Sequence, residues 1–406
     1  MKVFLRLYCR AFQAVMRVAS YFLPWRTPEL FIGAGSVSRL PSLVKGKGLN
    51  KALIVTGQFM YKNGFLNHLE AAFREEGVEY VMFNKTTPNP TVDLCEQAKQ
   101  MYIDNGCDCI VAFGGGSPID CAKGAGARIV RPKKPLRKMK GVLKVLKKLP
   151  PFFVAPTTAG SGSETTLAAV ITDAVRHDKY AISDPSLIPN VVILDPEVTV
   201  QMPQHITATT GMDALTHAVE AYIGRANTKN TKKWAEQAVV LISENLVNAY
   251  QNPTDLTARE GMQLAAFNAG RAFTRAYVGH VHALAHALGG LYNTPHGLAN
   301  AVLLPVVLQA YGSVVHYKLA CLARLIGLPS CHNDERAAHT FITWVENLNA
   351  AMQIPATIKD PDGAEVIKGS DIPLLAQKAF RETNPLYPVP RIMFKDELCS
   401  ILKKVK

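Results

Sequence analysis

The chain has 406 residues, 48% of them hydrophobic and 19% charged. That length exceeds what one hydrophobic core organises, and the composition is that of an ordinary soluble protein, so two domains are expected. No uncharged apolar run reaches the roughly 18 residues of a membrane span, so nothing here is expected to cross a bilayer.

The net charge of +13 suggests nucleic acid until it is located. Residues 1–26 carry five basic and no acidic side chains, and residues 131–150, "RPKKPLRKMKGVLKVLKKLP", carry nine basic and no acidic ones. With both set aside the rest of the chain carries a net charge of −1. It therefore reads as a neutral body with two basic appendages, and an electrostatic partner would meet those segments alone. The eight cysteines lack CxxC spacing, the nearest pair being Cys107 and Cys109. Scattered thiols of this kind are usually reduced fillers, which points to a cytoplasmic protein.

Residues 1–27 form a basic amphipathic segment, helical over 1–23 and ended by Pro24. On a helical wheel Lys2, Arg6, Arg10, Gln13 and Arg17 fall within roughly 80°, with Val3, Phe4, Leu7, Val15 and Val18 elsewhere. The arginines interrupt any secretory h-region. Two readings stay open: a helix lying on an anionic membrane surface, or one docked on its own domain with a solvated basic face.

Between residues 28 and 203 strand-like and helix-like segments alternate. "KALIVTG" (51–57), "EYVMFN" (79–84), "CIVAFGGG" (109–116), "PFFVAPTT" (151–158) and "VVILDP" (191–196) are apolar and rich in β-branched residues. Helical stretches such as "GFLNHLEAAFREEG" and "TVDLCEQAKQMYIDNG" separate them. The alternation predicts a mostly parallel sheet with helices on both faces, an α/β Rossmann-like domain. From residue 204 to 406 strand-like runs nearly vanish and long amphipathic patterns follow, which predicts an all-helical domain.

Two glycine-rich turns follow successive strands. "GGGSPID" runs into a helix near Pro118, and "PTTAGSGSE" follows the next strand. Glycine lets backbone amides approach a pyrophosphate, and a helix N-terminus adds partial positive charge. Loops at the C-terminal ends of parallel strands are where an open α/β sheet binds its ligand, so a phosphate-bearing cofactor is expected.

The helical half opens with "TGMDALTHAVEAY", where Asp213 and His217 stand four apart and can chelate one ion. "HVHALAHALGGLYNTPHG" repeats that spacing in His282 and His286 and adds His296. "HALAH" lacks the glutamate of a zinc-protease helix. A single histidine here would read as a core residue, but this set suits iron(II), zinc or another divalent metal.

These motifs, with "DPEVTVQMP", occur in the order and spacing of the iron-containing (group III) alcohol dehydrogenases, which the chain resembles from about residue 28 onward. The resemblance implies a dehydroquinate synthase-like architecture with a cleft between the two domains. It implies hydride transfer between a primary alcohol or its aldehyde and NAD(P), and a homodimer. Carried over residue by residue, Asp213, His217, His282 and His296 would hold Fe2+, with Zn2+ or another divalent ion as alternatives. His286 would relay the proton, and Phe273 would line the substrate pocket. Gly115, Gly116, Ser117 and Asp120 would line the pyrophosphate, Thr157 and Thr158 would contact the cofactor, and Lys179 would lie near its ribose.

One departure stands out. Many NAD-using members carry aspartate after the first strand, which repels a 2′-phosphate; here the residue is Gly57, followed by neutral Gln58. That relaxes selectivity and slightly favours NADP(H) over NAD(H). The alternatives are a glycerol or polyol dehydrogenase of the same superfamily, or an inert relative that binds membrane or nucleic acid through its basic segments. The paired loops and complete ligand set argue against inertness, and no nucleic acid is expected. Peripheral contact with an anionic membrane would involve residues 1–26 and 131–148.

Overall fold

In the computed structural model, which describes residues 2–176, 178–329, 332–360 and 362–406, the apolar runs of the first half are strands. Cys331 lies outside the described residues. The strands are β1 (Glu29–Ile32), β2 (Lys51–Gly57), β3 (Glu79–Thr86), β4 (Cys109–Gly114), β5 (Gly141–Val142), β6 (Phe152–Pro156), β7 (Ala168–Asp173), β8 (Asp178–Ser183) and β9 (Val191–Leu194). Six of them form one parallel sheet in the order β1-β9-β6-β4-β2-β3. β4, β6 and β9 are buried at every position. That is why they read as unbroken apolar runs without alternation.

The helices of this half are α2 (Leu40–Gly46), α3 (Gln58–Lys62), α4 (Asn67–Glu75), α5 (Val92–Asp104) and α6 (Gly116–Val130), with α1 (Lys2–Ser20) preceding them. From β2 the chain steps outward to β3, then returns to β4 on the other side of β2. That reversal leaves a crevice beyond the C-terminal ends of β2 and β4, the usual ligand site of an open α/β sheet. Gly57 ends β2 and Gly114 ends β4, so both lie at its rim.

A second sheet, β5-β8-β7, was not evident from the sequence. β7 and β8 are an antiparallel pair with alternating burial, and their polar outward residues dilute the apolar signal. The basic stretch 131–150 is no appendage. Leu136, Met139, Val145 and Leu149 are buried, Arg131 Nε donates to the Val145 carbonyl at 2.6 Å, and Lys134 Nζ donates to that of Lys144 at 2.8 Å. Its cations thus hold a loop together as well as facing solvent.

The second half contains α7 (Gln204–Ile223), α8 (Lys229–Gln251), α9 (Leu256–Ala276), α10 (His280–Tyr292), α11 (His296–Tyr311), α12 (Ser313–Leu325), α13 (Asp334–Ala351), α14 (Ile372–Thr383) and α15 (Lys395–Lys404). α7 is buried without a break from Gly211 to Ile223, so the Asp213–His217 pair lies inside the unit and not on a solvated face. Two compact units result, one of Pro24–Met202 with Thr254–Gln263, the other of Pro203–Pro253 and Leu264–Lys406 with the segment ending at Leu23.

α1 thus belongs to the helical unit, docked on its own domain as one of the two readings expected, with Lys2, Arg6 and Arg17 exposed and Arg10 turned inward. Gln13 Nε2 donates to the carbonyls of Pro385 and Tyr387 at 3.0 and 2.8 Å. Arg10 donates to those of Val389 and Pro390 at 2.9 and 3.1 Å. Cys9 and Leu5 pack on Val389, Ile392 and Tyr387. The helix docks by a mixed face of Leu5, Cys9, Arg10 and Gln13 and turns Val3, Phe4, Leu7, Val15 and Val18 to solvent.

Candidate active site

Of the four histidines in α10 and α11, one that was not among the candidates is a core residue. His280 is fully buried with Nδ1 2.7 Å from the Tyr311 hydroxyl, and burial pushes its pKa down to about 3.

The others converge. α7 carries Asp213 and His217 one turn apart, α10 carries His282, and the first residue of α11 is His296. Asp213 Oδ1 lies 4.0 Å from His217 Nδ1, 3.6 Å from His282 Nε2 and 3.5 Å from His296 Nε2. Ligand atoms about 2.1 Å from one tetrahedral ion stand about 3.4 Å apart; ligand atoms of Asp213, His217 and His282 all lie within 4.8 Å of one another, as one divalent cation requires, and His296 joins them through its approach to Asp213. His282 Nε2 is buried and makes no hydrogen bond, which is costly unless an ion occupies its lone pair. Burial opposes ionisation of Asp213, and His217, His296 and His282 outweigh it, holding the carboxyl well below the usual range. Burial likewise opposes a charge on His282, but Asp213 and Glu220 reverse this and raise it to about 9.

Two supporting residues escaped the sequence reading. Glu220 is buried and its Oε2 lies 2.7 Å from His282 Nδ1. It also accepts from the Gly279 and Val281 amides at 2.7 and 2.8 Å. This fixes the His282 tautomer that turns Nε2 toward Asp213. A Cβ on Gly279 would lie 2.6 Å from Glu220 Oε1, so the chain closes tightly over the carboxylate. Asn300 Nδ2 donates to Asp213 Oδ1 at 2.7 Å and lies 3.1 Å from His296 Nε2. Both were detectable in principle: Glu220 continues the Asp213/His217 face at i+7, and Asn300 stands four after His296.

His286 is exposed and stacks on His296 with ring centroids 5.1 Å apart. Its Nδ1 is 2.6 Å from Glu382 Oε1, which also accepts from the Tyr387 hydroxyl at 2.9 Å. Glu382, 96 positions away, left no local signal. Phe273 stacks flat on His217, centroids 4.0 Å apart and 12° between planes, and so lies beside the ligand cluster.

The α/β unit holds the loop residues. Gly115 caps α6 with no side-chain bond, leaving the first-turn amides of a 15-residue helix to other acceptors. A Cβ on Gly115 would come within 3.1 Å of Thr158, and one on Gly116 within 3.1 Å of Ser161 Oγ, so the two glycine loops press together. The Thr157 amide donates to the Gly114 carbonyl at 3.1 Å. Ser117 Oγ accepts from the Asn89 amide at 3.3 Å, and Lys179 Nζ donates to Asn89 Oδ1 at 2.7 Å. Asn89, in a left-handed conformation at φ 57°, links the two.

Asp120 is committed within the protein, accepting from Ser163 Oγ at 2.6 Å and the Val170 amide at 2.9 Å. One turn on, buried Lys123 donates to the carbonyls of Ser163, Thr166 and Ala168 at 2.7, 2.8 and 2.8 Å. Burial lowers its ammonium to about 8 against the pull of Asp120 and Glu164. Asp120 and Lys123 thus clamp the second loop and β7 from α6. Gly57 has φ −89°, and an added Cβ would sit 3.4 Å from the Thr86 carbonyl, so that position admits a side chain.

The chain is 35% identical over 387 residues to the NAD-dependent methanol dehydrogenase of Bacillus methanolicus, covering 95% of this chain and 99% of that one. It is 34% identical to the NADPH-dependent butanol dehydrogenase of Clostridium saccharobutylicum, over 93% and 96% of the two chains. The structure of the alcohol dehydrogenase from Oenococcus oeni superposes with a TM-score of 0.89 at 35% identity, covering 95% of this chain and all of that one. Residues 27–196 match the family model for iron-containing alcohol dehydrogenase and residues 207–406 that for the C-terminal part of the Fe-containing family, so the chain belongs to the iron-containing alcohol dehydrogenase family.

Proposed function

We propose that this protein is a metal-dependent alcohol dehydrogenase and aldehyde reductase that moves hydride between a primary alcohol, or its aldehyde, and NAD(P). The observation that carries the reading is the convergence of His217, His282 and His296 on Asp213 at 3.5 to 4.0 Å. These four would hold a divalent ion, Fe2+ in our reading, with Zn2+ the alternative for the same donors. When bound, the ion supplies Lewis-acid polarisation of the substrate oxygen.

The rest falls to the chain. Gly115, Gly116 and Ser117 offer backbone amides to a pyrophosphate, and Thr157 and Thr158 flank it. Asp120 positions the loops, and Lys179, held by Asn89, serves the ribose. Phe273 bounds the substrate beside His217. Glu382 holds the proton of His286 on Nδ1, so that Nε2 accepts the alcohol proton and passes it toward solvent. Gly57 leaves space where a carboxylate would repel a 2′-phosphate, which supports a slight preference for NADP(H).

A homodimer and a cytoplasmic location belong to the same proposal; buried, unbridged Cys95, Cys107, Cys109 and Cys121 suit a reducing compartment. Metal analysis coupled to a panel of short alcohols and aldehydes with both cofactors tests the reading. His282→Ala should lose both metal and turnover. His286→Asn should keep the metal, slow turnover and shift its pH profile; loss of metal from that variant would refute the division of roles. Gly57→Asp should move preference toward NAD(H).

A further inference from the structure

α1 precedes both family-matched segments and takes no part in either site. Docked through Cys9 and Gln13, it leaves its opposite face uncovered. At 100° per residue, Phe4, Leu7, Tyr8, Val15 and Val18 fall within about 100°, and Val3 and Ala14 widen the strip to about 140° without a charge. Phe4 is 78% exposed, and Phe22, just past the helix, 84%. A run of large apolar side chains on one solvent-facing strip is the mark of an interaction surface. Arg17 and Arg6 border it on one side, both exposed, with the Arg6 guanidinium 5.1 Å from the Phe394 ring centroid, and Lys2 falls on the docked side over the same ring; residues 1–26 contain no acid. Among the described residues no helix is long and apolar enough to cross a membrane.

We propose that α1 is a membrane-surface helix: its apolar strip enters the headgroup boundary of an anionic bilayer while Arg6 and Arg17 meet lipid phosphates. The charge pattern selects lipid over a second copy of the chain. A two-fold pairing through the strip would bring the same basic border from both copies together with no acidic residue of the segment between them, whereas an anionic surface neutralises it. Hydrogen bonds from Gln13 and Arg10 to the 385–390 segment would hold the enzyme body at the surface by the docked face. This inference is independent of the catalytic reading.

The test is sedimentation of the full chain with vesicles of phosphatidylcholine alone and of phosphatidylcholine mixed equally with phosphatidylglycerol, with light scattering to record mass. The wild type should bind the mixed vesicles at least about tenfold more tightly than the neutral ones, each exposed basic residue contributing about fivefold. The variant Phe4→Asp/Leu7→Asp/Val18→Asp should lose vesicle binding with its circular dichroism and melting unchanged, because those side chains face solvent. Arg6→Gln/Arg17→Gln should lose most of the preference for the anionic lipid. Absence of wild-type binding, or equal binding by the apolar-face variant, overturns the proposal. So does a fall in oligomer mass in that variant when the wild type ignores vesicles, which would assign the strip to a second copy.

Discussion

Gly297, next to the proposed ligand His296, tests whether the proposed cation site depends on helix packing. It opens α11 where that helix meets α7, and a Cβ there would lie 2.4 Å from the Thr209 carbonyl oxygen and 2.8 Å from its carbon. That is about 1 Å short of the roughly 3.5 Å at which non-bonded heavy atoms rest. Both colliding atoms are helix backbone, so neither can swing aside. Gly297→Ala must therefore push α11 from α7 by about 1 Å, at an overpacking cost of about 1–3 kcal/mol. His296 travels with α11 and Asp213 with α7, so their 3.5 Å separation opens by a similar amount. A displacement of about 1 Å is expected to reduce kcat/KM about a hundredfold. The control is Gly290→Ala: an added Cβ there meets nothing within 4 Å, and in a helix it should stabilise by about 0.5–1 kcal/mol. Metal content after dialysis, thermal melting and aldehyde reduction would be measured on both variants. If Gly297→Ala keeps full metal, melting temperature and turnover, the close approach of α7 and α11 is not what sets the ligand geometry.

Glu220→Gln keeps the shape but replaces an acceptor by a donor facing the amides of Gly279 and Val281; metal affinity should fall about 10- to 100-fold, and an unchanged metal titration would show that Glu220 does not orient His282. Glu164 offers a test by pH. Burial raises it from 4.5 to about 7, its own backbone bond and Lys123 offsetting only part. Folding therefore takes up a proton between those values, and the stability it contributes is complete below pH 4.5 and lost as pH rises through 7. The shift corresponds to about 3 kcal/mol. Glu164→Gln should match the wild type in urea unfolding at low pH and exceed it by up to about 3 kcal/mol near pH 8; parallel profiles would mean that Glu164 is not held protonated.

The parallel sheet, the helical second half and the two glycine turns were legible in the sequence because each has a local cause. Strands buried on both faces must be continuously apolar, and turns at strand ends must spare a Cβ. The i,i+4 pairs Asp213/His217 and His282/His286 were legible from helical spacing, whereas the proposed ligand set and the places of His286 and Phe273 came from the family resemblance. What spacing could not reveal was partnership across the chain. Glu220 with His282, Asn300 with Asp213, Glu382 with His286, and Asp120 and Lys123 with the second loop are pairs whose members carry no mutual mark in sequence. Asp120, expected beside the pyrophosphate, also holds Ser163 and Val170 through its two oxygens, a tie that no spacing announced. The orientation of α1 is the sharpest case. Its wheel shows two faces, but which one is covered depends on the carbonyls of 385–390, free to accept hydrogen bonds from Gln13 and Arg10. Periodicity therefore determined the elements and the donor types on each face. Tertiary structure decided which donors meet and which face is left to solvent, because those are properties of pairs of surfaces and not of either one.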